Sequence, residues 1–589
     1  MGFELKEEIR MLNLLKQRLP KSKMIGATLF MAIQVMTTLY LPTLTSNIVN
    51  NGVAKGDVHY IWAVGIQMMI FSLISVAAAA FNVYFSAKGS QKLGQRLRSD
   101  VYRKVINYSH DEMKQIGTSS LVTRTTNDIM QIQNVTLMFL RMMLMAPLML
   151  IGASILAYRR SATLTTIFIV ILPLIAGIMA LVIRFAGPLF FAMQKKTDRV
   201  NQVFREGLTG VRVIRAFRQD ELEQQRFDEV NKDYTHNAIK VYNITGLMMP
   251  LMTLIMSATN VVITYWGSHL IAFQATEVGN MIAFITYAAQ ILMSFAMLSM
   301  VFVMVPRAQA SAKRLNQILN MTTPITDAKD PQSLDKPSAL EFDNVAFKYA
   351  DAQKDALEGV NFKLHAGQTL AIIGGTGSGK STLINMIPRF YDATQGEVKV
   401  NGVDVRNTTL QAIHQAVSFV PQKANLFEGT LRENMQFGDA NASDEQIWHA
   451  LEIAQASDFV KELDGQLDAH VEQGGANFSG GQRQRLAIAR ALVKQASVYV
   501  FDDSFSALDF KTDAKLRAAL KADEEIQKHV VVIVGQRVST IADADLILVL
   551  DKGKVVGQGT HQELLATNKV YQSIVNSQIR ESKEGEQNA

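Results

Sequence analysis

The 589-residue chain contains no cysteine. Structural disulfides, thiolate metal sites and a cysteine nucleophile are therefore excluded. No cleavable leader peptide is expected at its start. Residues 1–23 carry Lys6, Arg10, Lys16, Arg18, Lys21 and Lys23 among Leu and Ile at helical spacing, with no apolar core followed by small residues. That pattern predicts an amphipathic helix lying on a membrane surface. Charge is scarce in the first half, where long apolar runs crowd together, whereas the second half alternates like a soluble α/β protein. A hydrophobic fraction of 48% with 28 Met is high for a soluble enzyme, and the length exceeds what one domain normally holds. The formal charge of +6 could suggest nucleic acid. The Lys and Arg gather around the apolar runs instead, so no nucleic-acid partner is expected and the charge reads as membrane topology.

A bilayer core needs about 20 apolar residues in a helix. Six candidates meet that length: 24–48, 60–85, 135–157, 162–187, 243–271 and 281–305. Two connections, 86–134 and 188–242, are long and basic, so both are expected on the cytoplasmic side together with both ends of the domain. Arg159 and Arg160 fall on the opposite side and break that rule. The long connections favour helix, which predicts membrane helices continuing into the cytoplasm and turning near Ser109–Thr118 and Gly207–Phe217. Residues 321–338, with Pro324, Pro331 and Pro337, read as a linker, 339–580 as a soluble α/β domain, and 581–589 as a polar, frayed tail. The expected architecture is an α-helical polytopic membrane domain (1–320) with long cytoplasmic extensions, fused to an α/β P-loop domain.

The strongest motif is Gly374-Gly375-Thr376-Gly377-Ser378-Gly379-Lys380-Ser381, the phosphate-loop pattern GxxxxGK[ST]. An apolar strand, Thr369–Ile373, leads in, and Thr382–Ile387 opens a helix. Glycines let the backbone wrap closely, so that successive N–H groups face a β-phosphate. Lys380 would reach the β- and γ-phosphates of ATP, and the Ser381 hydroxyl would ligate Mg²⁺. A second apolar strand, Val498–Phe501, ends in Asp502-Asp503. A carboxylate there would hold the magnesium, which assigns Asp502 that role. A third motif, Phe478-Ser479-Gly480-Gly481-Gln482, opens the helix Arg483–Val493 and would form an anion-binding nest.

Taken together, these motifs closely resemble those of ATP-binding-cassette proteins. The membrane half resembles the six-helix half-transporter of the exporter class (type IV), with Glu206-Gly207-Leu208-Thr209-Gly210 looking like the second coupling helix. The resemblance implies that Tyr349 stacks on adenine from the strand before the phosphate loop. It implies that Gln422, in Phe419-Val420-Pro421-Gln422, touches Mg²⁺ and faces the membrane domain, and that Asp509 crosses a dimer contact. In this family ATP sits between one partner's phosphate loop and the other's signature. Ser479, Gly480, Gly481 and Gln482 would thus serve a partner's ATP. Only one set of motifs exists here, so dimerisation is implied.

Two positions depart from the family pattern. The residue after Asp502 is normally Glu, orienting or deprotonating the attacking water; here it is Asp503. A His normally sits where Gln536 does, after the strand His529–Val534. The signature is nearly intact, with Phe478 in place of Leu. This asymmetry resembles the degenerate half of heterodimeric bacterial multidrug exporters, whose partner carries the intact Glu and His. Catalytic positions are therefore Asp503, Gln536 and Gln422, and the expectation is slow turnover of the chain's own ATP. The cargo expected is small, hydrophobic or amphipathic, with membrane lipid as the surroundings. Met248, Met249, Met252, Met256, Met293, Met297, Met300 and Met304, with Phe295, Phe302, Tyr265 and Trp266, form an adaptable apolar surface, as cavity lining or lipid-facing filler. Arg141 and Arg184 face an aqueous cavity or an anionic substrate, or snorkel to headgroups. Lipid or peptide export by a homodimer is the alternative. An ATP-gated channel is disfavoured because a second half and regulatory segments are absent.

Overall fold

The computed structural model describes residues 18–350 and 352–587, without the side chains at 183, 299–304, 306 and 579–587. Most of the expected 1–23 surface helix, and the side chains of Met300, Phe302 and Met304, lie outside the described residues. The chain divides into two compact units: Met1–Asn107 with Ile116–Met321, and Tyr108–Gln115 with Thr322–Ala589.

Among the described residues, six helical stretches of the first unit are long and apolar enough to cross a membrane. They are Lys21–Val53, Val58–Ile106, Thr118–Arg160, Ala162–Ala216, Asp220–Ala272 and Val278–Leu298. The main helices are α1 (Lys21–Asn47), α2 (Val58–Ile106), α4 (Ile167–Ala216), α5 (Asp220–Gly246), α6 (Met248–Ala272) and α7 (Val278–Asn320), with the short α3 (His110–Ile116) after α2. At about 1.5 Å per residue, the 49 residues of α2 reach roughly 70 Å, more than twice a bilayer core, so its end must leave the membrane.

The turn expected near Gly207–Phe217 comes only at the end of that range. α4 runs unbroken through Glu206–Gly210 to Ala216, and the chain reverses at 217–219, where Arg218 takes a φ of +51°. Gly207 and Gly210 meet nothing within 4 Å, so neither packing nor a breaker stops the helix. Arg226 then ties the hairpin shut, bonding Glu206 at 2.7 Å and Glu223 at 3.3 Å.

Arg160, which breaks the charge rule, turns out to be a hydrogen-bond hub. Its Nη1 donates to Asn280 Oδ1 (2.8 Å) and Ser46 Oγ (3.4 Å), while Ser46 Oγ itself donates to Asn280 Oδ1 (2.9 Å). It therefore joins the ends of three spans, a use that outweighs its charge sign. The methionines divide as well. Met248, Met252 and Met256, with Phe295, pack against an internal cluster of Ile175, Met179, Ile255 and Leu292, whereas Met249 and Met293 are exposed. Arg141 and Arg184 are exposed.

The second unit contains a ten-stranded sheet, in the order β5-β4-β1-β2-β12-β11-β3-β10-β9-β6. Its strands are β1 (Ala339–Phe347), β2 (Leu357–His365), β3 (Thr369–Gly374), β4 (Gln395–Val400), β5 (Val403–Asp404), β6 (Val417–Val420), β9 (Val498–Asp502), β10 (Val530–Val534), β11 (Leu546–Asp551) and β12 (Lys554–Gly559). A separate pair, β7 (Gly429–Thr430) and β8 (His470–Val471), lies apart from it. Strands β11, β3, β10, β9 and β6 run parallel. Every residue of β9 and β10 is buried, as continuous apolar strands covered on both faces require. Helices α8 (Lys380–Asn385), α9 (Gly480–Val493), α10 (Phe510–Ala522), α11 (Val538–Ile541) and α12 (Lys569–Gln587) complete the parts used below. Helix α12 continues to Gln587 where a frayed tail is expected, because its Glu, Lys and Gln favour helix. The linker region is irregular but pinned, with Leu410 N donating to Asp327 and Asn401 Nδ2 to the Leu334 carbonyl.

In the first unit Asp128 is buried and held by Arg314, whose Nε donates to Oδ2 at 2.7 Å, and by Ser311 Oγ at 2.9 Å. The Arg314 side chain is 47% exposed and that of Asp128 only 5%. Removing the arginine strands a buried carboxylate, while removing the carboxylate frees a guanidinium that water can reach. Arg314→Ala should therefore cost about 3 kcal/mol, and Asp128→Asn clearly less. Thermal-unfolding midpoints of the two purified variants check the asymmetry.

Candidate functional site

The site begins where the parallel strands end. Val534 of β10 pairs with Ile372 of β3 on one side and Asp502 of β9 on the other, so the loops after all three strands emerge at one edge. The loop after β3 needs backbone that only glycine adopts freely: Gly377 has a φ of +80° and Gly379 of +104°. Lys380 Nζ donates to the carbonyls of Gly374 (2.8 Å) and Gly375 (2.9 Å), which folds the lysine across the loop. Ser378 Oγ is buried without a hydrogen-bond partner.

A cleft of about 450 Å³ opens over the loop, lined by Gly377 to Thr382, Tyr349, Asp355, Ala356, Lys552 and Gly553. Tyr349 lies two residues past the end of β1 rather than on the strand leading into the phosphate loop, with β2 between them. Its hydroxyl shares a hydrogen bond with Thr382 Oγ1 (2.9 Å), and its ring stands edge-to-face against Phe347 and Tyr391. Lys114 Nζ of α3 lies 5.9 Å from the Tyr349 ring centre, and the His110 ring packs on Tyr391 at 5.7 Å. The crossing segment expected near Ser109–Thr118 thus has residues beside the Tyr349 end of the cleft.

Asp355, Ala356, Lys552 and Gly553 were not expected in the site. Lys552 and Gly553 form the two-residue turn between β11 and β12, both at positive φ, a hairpin signal legible in sequence. That the turn sits against the phosphate loop is not legible. It rests on a bond from Gly553 N to the Ser378 carbonyl, at 3.0 Å, across 175 residues of chain.

The carboxylates divide between two neighbourhoods. Asp502 Oδ1 lies 3.5 Å from Ser381 Oγ. Burial, then the adjacent Asp503, push its carboxyl up to about 6. Asp503 is also buried and raised by burial, against the pull of Gln422 and Gln536. Burial lowers Lys380, which the two aspartates partly offset. Two buried carboxylates facing one desolvated lysine leave the site short of positive charge. The hard oxygens of Ser381 and Asp502 therefore fit Mg²⁺, which usually takes few protein ligands beside phosphate and water. Gln422, the third expected ligand, spends its amide nitrogen on Asp503 Oδ2 at 3.2 Å. Gln536 Nε2 donates to the same oxygen at 2.6 Å, and Asp503 has a φ of +48°.

The signature lies outside this cleft, since neither Ser479–Gln482 nor Asp509 lines it. Ser479 caps α9 in a capping box, accepting from Gln482 N (3.2 Å) while Ser479 N donates to Gln482 Oε1 (2.9 Å). A Cβ at Gly480 would meet nothing within 4 Å, and at Gly481 only ordinary contacts, the Ala507 carbonyl at 3.5 Å and Leu508 Cδ2 at 4.0 Å. Asp509 caps α10, accepting from Thr512 N at 2.9 Å, which holds its carboxyl below the usual range.

A carboxylate with a raised folded-state pKa opposes folding above that value. The folded state takes up its proton as pH falls through about 6, so this penalty fades on acidification. Asp502→Asn should therefore raise the melting midpoint of the metal- and nucleotide-free protein by several degrees at pH 7.5. The gain should shrink toward pH 5. A differential thermal scan at both pH values checks the sign.

Three comparisons place the chain among known proteins. Residues 24–295 match the family model for the ABC transporter transmembrane region, and 357–506 match that for the ABC transporter. An uncharacterized ABC transporter ATP-binding protein of Mycobacterium tuberculosis is 37% identical over 96% of this chain and 98% of its own length. One from Bacillus subtilis is 33% identical over 95% and 97%. An ATP-dependent lipid A-core flippase of Mannheimia succiniciproducens is 29% identical over 94% of both chains. A bacterial Atm1-family ABC exporter, solved with ATP bound, superposes with a TM-score of 0.79 at 24% identity, over 95% of this chain and 99% of that one, so the two share a fold. The chain is a multi-pass membrane protein that belongs to the ABC transporter family, with the family's transmembrane region and ATPase domain in one polypeptide.

Proposed function

We propose that this chain is the slow-site half of a heterodimeric exporter, moving hydrophobic or amphipathic compounds out across the cell membrane. Both termini and the nucleotide domain face the cytoplasm, in line with the basic long connections. ATP binds over the phosphate loop through Lys380, with Tyr349 at the base end. Magnesium held at Ser381 and Asp502 would neutralise phosphate charge.

The observation that carries the reading is the state of Asp503. Its carboxylate stands where the family has Glu, one methylene shorter, and one oxygen already accepts from two glutamine amides, Gln536 and Gln422. That oxygen is already engaged, and the shorter side chain holds the carboxylate back from where a Glu would meet water. Gln536 donates a hydrogen bond but carries no proton charge. The open space around Gly480 supports the other half of the reading. Neither its φ nor packing within the chain calls for glycine, so close approach by a partner's nucleotide is what the residue suits. ATP binding would then close two unlike cassettes, and turnover at the partner's phosphate loop, facing Ser479–Gln482, would reset them.

A lipid cargo is the second reading, favoured by similarity to the lipid A-core flippase along nearly the whole chain. A dye-efflux assay in vesicles, with lipid competitors, separates the two.

The purified chain alone should hydrolyse ATP slowly and trap no nucleotide with vanadate. Asp503→Glu combined with Gln536→His should raise kcat at least about tenfold, since misplacing a catalytic group by an ångström costs roughly a hundredfold. Robust vanadate-sensitive turnover by the unaltered chain would refute the slow-site reading.

A further inference from the structure

We propose that Gln578, on the C-terminal helix α12, is a positioning residue for the nucleotide site. It holds the segment carrying Gln536 in place against Asp503. The proposal rests on the slow-site reading, in which Gln536, at the family's His position, faces the γ-phosphate of the ATP held over Lys380.

Helix α12 is anchored before it reaches the site. Tyr571 is fully buried, and Val575 and Ile574 pack with it against Ile541, Ile547, Val549 and Leu564. Asn568 fixes the start of the helix, accepting from Tyr571 N at 2.9 Å and donating to the Val556 carbonyl at 2.7 Å. Gln578 follows three and four residues after Val575 and Ile574, so it extends the same buried face by one turn.

From there its amide grips the backbone on both sides of Arg537. Oε1 accepts from Val538 N at 2.8 Å, and Nε2 donates to the Gln536 carbonyl at 2.6 Å. Val538 opens the four-residue helix α11, whose first N–H groups have no intrahelical partner. The carbonyl of Gln536 lies before that helix begins. A glutamine side chain carries one acceptor and one donor group, the set that these two backbone positions need.

The same segment is held on a second side by Arg537. Its Nη1 donates to the Leu508 carbonyl at 3.4 Å, and its guanidinium stacks 4.5 Å from the Phe510 ring centre. Gln536 itself is solvent-exposed. Its side chain keeps its place on Asp503 only if its backbone does. A chain of contacts therefore runs from α12 through Gln578, Gln536 and Asp503 to Gln422, linking the C-terminal helix to the loop after β6.

The test compares nucleotides with and without a γ-phosphate on the full chain in nanodiscs. Dissociation constants for ADP and for the non-hydrolysable analogue AMP-PNP would be measured with Mg²⁺ present. Gln578→Met keeps the side-chain volume and loses both bonds. It should weaken AMP-PNP about fivefold while leaving ADP within about twofold. Gln578→Glu, which keeps the acceptor for Val538 but has no donor for Gln536, should fall between. Gln536→Ala should reproduce the selective loss, and the Gln578→Met, Gln536→Ala pair should be no weaker than Gln536→Ala alone. Equal changes for ADP and AMP-PNP in Gln578→Met, or losses that multiply in the pair, would overturn the proposal. If Gln536→Ala is selective and Gln578→Met is silent, the positioning role alone fails. If Gln536→Ala leaves AMP-PNP unmoved, the γ-phosphate reading falls and takes this proposal with it. An unchanged melting midpoint in Gln578→Met assigns the effect to the site rather than to unfolding.

Discussion

The nucleotide site depends on the register of three parallel strands. With Val534 opposite both Ile372 and Asp502, the chain after β3, β9 and β10 is delivered to one edge of the sheet within two residues' length. Nothing local could do this, because β3 lies more than a hundred residues before the other two strands. The register is held by burial. Each residue of β9 and β10 is enclosed, so a one-residue slip would drive side chains from one packed face to the other. A slip would also exchange Asp502 and Asp503, which have different neighbours: Ser381 for the first, Gln422 and Gln536 for the second.

That separation gives two adjacent carboxylates different surroundings. Both are buried, and burial is the main cause raising each of them. Asp502 keeps an oxygen toward Ser381 and the phosphate loop, where charge is missing. Asp503 spends an oxygen on two amide donors. On the proposed reading, it is the engaged oxygen and the side chain one methylene shorter than Glu, rather than its affinity for a proton, that keep Asp503 from meeting water.

The parts of the site that were legible in sequence are those whose chemistry is contiguous. Gly374–Ser381, Asp502 and Ser479–Gln482 each sit within a few residues, beside a strand or helix visible from its own pattern. Asp355 and Lys552 were not legible, because their places follow from pairings across the sheet. Gln578 was hidden for the same reason, as one polar residue among many on an amphipathic helix. In the membrane unit, six apolar stretches stand out by length alone. The place of the reversal at 217–219 does not, since helix-favouring residues carry α4 through Gly207 and Gly210. Arg160 read as an exception to a charge rule, yet it acts through hydrogen-bond geometry, which charge counting does not see. Met248, Met252 and Met256 read as a surface, and their packing partners come from α4 and α7, distant in sequence.

One asymmetry remains once these contacts are in place. The cleft over Lys380 draws its lining from the phosphate loop, the β11–β12 turn and Tyr349, and none of it from the signature. The signature, for its part, is folded and capped, but its glycines answer no demand of packing or backbone conformation inside the chain. A face built with such room suits contact with something outside the chain, and a nucleotide held by another cassette has the right chemistry for it. On the proposed reading, pairing with an identical copy would give that face a second blunted pocket to serve. Pairing with a cassette that keeps Glu and His would give it one able to turn over. The same signature is therefore worth more beside an unlike partner, while the pocket over Lys380 contributes ATP binding without needing to hydrolyse.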